Sequence, residues 1–77
     1  MHVYINTIGL YLDPTFNEKD VTYKLRKEYD LSNIDGIGGI ESINMQLLSF
    51  VKFKVGDKEL FTMFQLKYGN YIHKIIP

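Results

Sequence analysis

The chain has 77 residues, which is enough for one domain spanning 1–77 and for nothing beside it. Nine basic and nine acidic residues cancel to zero net charge, so the long-range attraction that gathers nucleic acid or anionic membrane is missing. Apolar residues make up 45% and charged residues 23%, the composition of a chain that folds, and the lack of cysteine excludes disulfides, thiolate catalysis and zinc sites built on sulfur.

The opening "MHVYINTIGLYL" is rich in β-branched and aromatic residues on both parities, with Val3, Ile5 and Thr7 on one and Tyr4, Ile8, Leu10 and Leu12 on the other. This predicts a strand over 2–12, buried on both sides for part of its length and stopped by Asp13-Pro14. The same stretch has neither a basic leader nor a long apolar run, which predicts no signal peptide, no spanning helix and a cytoplasmic location. Thr15 followed three residues later by Glu18 has capping-box spacing, and Val21, Leu25 and Tyr29 form an apolar stripe beyond it. A helix over 16–30, lying on a sheet, is predicted.

Ser32–Gly39, "SNIDGIGG", reads as a flexible glycine connection. Ile34-Asp35-Gly36-Ile37-Gly38, with Ser42 and Met45 beyond it, resembles the hairpin of helix-hairpin-helix DNA-binding motifs, in which two glycines let backbone amides approach a phosphate. The resemblance covers this short segment alone and implies nucleic-acid binding as an alternative function. It departs from the motif in its charge: no Lys or Arg lies between Lys27 and Lys52, and Glu41 sits beside the loop. Phosphate neutralisation supplies most non-specific affinity, so nucleic acid is the disfavoured partner.

From Ile43 the pattern turns to period two, with Ile43, Met45, Leu47, Val51, Phe53 and Val55 on one parity and a bend expected near Ser49. Helical spacing through Ile40, Ile43, Leu47 and Phe50 is the competing reading. A two-residue loop at Gly56-Asp57 sets Lys54 opposite Glu59 and Phe53 opposite Leu60, and a second at Gly69-Asn70 sets Tyr68 opposite Tyr71. The C-terminal half then becomes an antiparallel three-stranded meander. The fold class is α+β, in the order β-α-β-β-β, with one helix on one face of the sheet.

One helix covers one face. The other face of that meander carries Leu48, Phe50, Phe61, Met63, Ile72 and Ile76 among Lys52, Lys54 and Lys74, and large apolar side chains gathered there point either to a protein contact or to a second small core under the N-terminal segment or the connection with Ile34, Ile37 and Ile40. The expected function is a small non-enzymatic interaction domain that binds itself as a homodimer, or binds a larger host protein. The absence of alanine, the single arginine (Arg26) and the abundance of Ile, Lys, Asn, Tyr and Phe follow AT-rich codons and suit a phage or other mobile element. The domain would there be an inhibitor or regulator. The two histidines, His2 and His73, have no metal-ligand spacing, and no metal, other cofactor or small-molecule substrate is expected. His73 with Tyr68 and Tyr71 is the acid–base set of a second alternative, an RNase-like toxin, because the strand, helix and meander order resembles that of small ribosome-dependent RNase toxins.

Overall fold

The computed structural model describes residues 1–34, 40–43 and 46–77, with 40–43 and 46–49 described by their backbone. The domain is α+β, with helices packed on one face of an antiparallel sheet.

Strand β1 (His2–Asn6) alternates as predicted: Val3 and Ile5 are fully buried, while His2, Tyr4 and Asn6 are half-exposed on the other side. It ends at Asn6, not at Leu12. The Asn6 side chain accepts a hydrogen bond from the Gly9 amide at 3.1 Å and caps a short helix, α1 (Thr7–Leu12). Gly9 is required by a close approach, since a Cβ there would stand 2.6 Å from the Tyr71 ring.

The Asp13 carboxylate then organises the turn. It accepts from the Thr15 amide at 2.8 Å, from the Thr15 hydroxyl at 2.6 Å and from the Tyr71 hydroxyl at 2.6 Å. These donors hold its pKa below the ordinary aspartate value, with the Thr15 hydroxyl the largest cause and Tyr71 next. Helix α2 (Val21–Tyr29) starts later than predicted because Asp20 is its cap, accepting from the Tyr23 amide at 3.1 Å. Glu18 accepts from the Asp20 amide, so the predicted Thr15–Glu18 capping box does not form. The stripe of Val21, Leu25 and Tyr29 is buried as expected.

Strand β2 (Leu31–Asn33) follows at once, where the sequence predicts a connection. The glycines at 36, 38 and 39 lie outside the described residues. Strands β3 (Ile40–Ile43) and β4 (Gln46–Val55) are antiparallel, pairing Ile40 with Ser49 through to Ile43 with Gln46, so the extended reading of this region holds over the helical one.

The meander is corrected beyond Val55. Residues Lys58–Tyr68 form helix α3, and Gly56-Asp57 is its entry and not a hairpin loop: the Asp57 carboxylate accepts from the Glu59 and Leu60 amides at 2.9 and 3.1 Å. Phe61, Phe64 and Tyr68 recur at helical spacing and are buried. Gly69-Asn70 likewise belongs to a 3-10 turn (Gly69–Tyr71), after which β5 (Ile72–Ile76) pairs with β1 and not with α3's residues.

The sheet order is β2-β4-β1-β5, all neighbours antiparallel, with β3 paired to the first part of β4. Leaving β3 aside, this is the β-α-β-β-α-β, or split β-α-β, arrangement. One core fills the helical side. Phe16, Phe53 and Phe64 are its largest fully buried side chains; Phe16 meets Tyr68 edge-on at 5.3 Å, and Tyr29 meets Phe64 edge-on at 5.2 Å.

Candidate functional site

Strand alternation decides what the other side of the sheet presents. Val3, Ile5, Val51 and Phe53 point into the core, so their neighbours point away from the helices. In the β1–β4 register His2 faces Lys54, Tyr4 faces Lys52 and Asn6 faces Phe50. On the other flank of β1, His2 faces Ile76 and Tyr4 faces Lys74. Tyr4 therefore stands at the middle of the face with a lysine on each neighbouring strand, and the Lys52 Nζ lies 6.0 Å from its ring centroid.

The β1–β5 pairing shifts between Tyr4 and Ile5, whose partners are Lys74 and Ile72, leaving His73 as the extra residue of a bulge. The bulge turns His73 onto the same side as Lys74. Its imidazole stacks on the Phe50 ring, with centroids 4.1 Å apart and planes 25° apart. His73 and Lys74 are exposed, and Phe50 is half-buried beneath the imidazole.

The zero net charge hides a segregation. Outside β3, whose Glu41 is described by its backbone alone, the carboxylates of the described residues lie on helices, helix caps or connections: Asp13, Glu18, Asp20, Glu28, Asp30, Asp57 and Glu59. Strands β1, β2, β4 and β5 carry none, and Glu41 on β3 pairs with Leu48. The face combines Lys52, Lys54 and Lys74 with two histidines, and among the described residues none of these lysines is in an ion pair, in contrast to Lys24 with Glu28 at 3.5 Å.

Of the six apolar residues predicted to form a contact surface, Phe50 and Ile76 are on this face. Phe61 is in the core at 3% exposure, a correction that follows from α3 being a helix. Ile72 pairs with Ile5 and packs against the core, on the opposite side from the one predicted. Met63 is 53% exposed but lies on α3 and not on the sheet. The side chain of Leu48 lies outside the described residues. The acid–base set is not assembled either: Tyr68 donates to the Thr15 carbonyl and Tyr71 to Asp13, both on the helical side, while His73 is on the open side.

No group of three or more His, Cys, Asp or Glu among the described residues could hold a metal ion, and no described helix is long and apolar enough to cross a membrane. A depression on the helical side, lined by Tyr11, Leu12, Asp13, Pro14, Asn17, Glu18 and Lys19, contributes little chemistry, because its Asp13 is already committed to Thr15 and Tyr71. No protein-family model matches the chain, and no curated protein and no solved structure matches it.

Proposed function

We propose that the protein is a non-enzymatic binding domain, working in the cytoplasm, that engages an acidic partner through the open face of its sheet. The observation that carries this reading is the gathering of Lys52, Lys54 and Lys74 on one face of β4, β1 and β5, three neighbouring strands with no carboxylate among their own residues. Cations of one sign gathered on one surface raise the local concentration of the opposite charge and steer its approach. A second copy of the chain is a poor occupant, because two such faces would set lysine against lysine.

Retention on a heparin matrix under a salt gradient tests the reading. The double variant Lys52→Glu, Lys54→Glu should lose retention. The double variant Lys58→Glu, Lys67→Glu, which has the same net charge but places its changes on exposed positions of α3, should keep it. Equal loss in both would assign any retention to net charge alone and refute the role of the face.

A further inference from the structure

A sheet face can hold an acidic protein by charge alone, but this one offers more than charge. Three observations concern its rings. Tyr4 stands at the centre, flanked across the register by Lys52 and Lys74. Phe50 is the partner of Asn6, two positions along β4 from Lys52, so it is a diagonal neighbour of Tyr4 at about 7–8 Å. The bulge at His73 lays an exposed imidazole over Phe50 at 4.1 Å, giving a second flat surface beside the first. Rings and cations alternate on one plane.

Resting on the proposed binding role of this face, we infer that its acidic partner is a single-stranded nucleic acid. Tyr4 and the Phe50–His73 stack receive base faces, and Lys52, Lys54 and Lys74 meet phosphates. A single strand is the polyanion whose planar groups are free to leave their own stack. In a duplex the bases are paired inward, where ring faces on a flat sheet do not reach them. An acidic protein surface would use the lysines and leave the rings without matching planes. The zero net charge fits a modest electrostatic contribution: three phosphate contacts give a slope of log affinity against log salt of about −2, at roughly −0.7 for each contact on a single strand.

Fluorescence anisotropy with end-labelled oligo-dT and oligo-U, beside a hairpin duplex of the same length, tests the inference. Both single strands should bind, more tightly than the duplex, with a salt slope of about −2. Tyr4→Ala should weaken binding about 5- to 150-fold and Tyr4→Phe should restore it, because the ring and not the hydroxyl supports a base. His73→Ala, at an exposed bulge position, tests the second platform without disturbing the core. If the protein binds heparin while the duplex binds as well as the single strands, or while Tyr4→Ala and His73→Ala bind oligonucleotides unchanged, the nucleic-acid inference fails and an acidic protein becomes the partner. If heparin retention is itself absent, the underlying reading of the face fails as well.

Discussion

Helix α3 sets which side chains reach the core, and the contrast between Phe64 and Leu66 tests its placement. Phe64 is fully buried between Tyr29 and Tyr68, whereas Leu66, two residues on, is 83% exposed. Replacing Phe64 with Ala removes a ring of contacts and leaves a cavity, at a cost of about 3–5 kcal/mol. A chain of 77 residues has a total stability of roughly 4–12 kcal/mol, so this loss is a large share of it. Urea denaturation followed by far-UV circular dichroism should show the midpoint falling by about 2 M or more. Phe64→Leu, with a smaller cost of roughly 1–2 kcal/mol, keeps the measurement possible if the alanine variant does not fold. Leu66→Ala should stay within about 0.5 kcal/mol of the unchanged protein. The reasoning is refuted if Leu66→Ala costs as much as Phe64→Ala, because equal costs would put both residues on one buried face, as an extended segment does.

Asp57→Ala removes the acceptor for the Glu59 and Leu60 amides and should cost about 1 kcal/mol in the same denaturation assay; no change would show that α3 does not depend on this cap. Gly9→Ala drives a methyl group into the Tyr71 ring and should destabilise by about 1–3 kcal/mol, and a stabilised variant would contradict the close approach. Because its donors depress the Asp13 pKa in the folded state, the stability it contributes is complete above the unfolded aspartate value of about 3.9 and is lost as pH falls through the lower folded value. The stability difference between the protein and Asp13→Asn should therefore close on acidification, and a difference that is flat with pH would show that Asp13 is not held ionised.

Much of the framework was legible. The alternation of Val3 and Ile5 against His2 and Tyr4, the α2 stripe, and the extended character of 46–55 all follow from period, and the structure shows each of them. The α3 segment was ambiguous for a physical reason. Leu60, Phe61, Met63, Phe64, Leu66 and Tyr68 supply apolar residues at every phase, so strand and helix templates both find matches, and exposed Leu66 and Met63 are the misleading ones. Only the cap at Asp57 and the i, i+3, i+7 spacing of Phe61, Phe64 and Tyr68 separate them. Helix α1 is six residues long, too short to establish a period, and its single signal was Asn6 as a cap. The sequence predicts an apolar face opposite the helices, but its predicted membership changes with α3, which takes Phe61 and Met63 off the sheet. The gathering of Lys52, Lys54 and Lys74 on one face was invisible in the totals, because it depends on which strands are neighbours.

The central place of β1 bears on how the molecule assembles. Its two partners lie at 50–54 and 72–76, so every pairing made by the first strand closes across 44 residues or more, the shortest being Asn6 with Phe50. Such distant pairings forfeit chain freedom before they return any contact energy, which slows their formation relative to local helices. On the ribosome β1 would emerge before β4 and wait unpaired until β4 has been synthesised. During that interval α2, whose hydrogen bonds are local, is the element able to form, and Val3 and Ile5 are the side chains most exposed to misassociation with other chains.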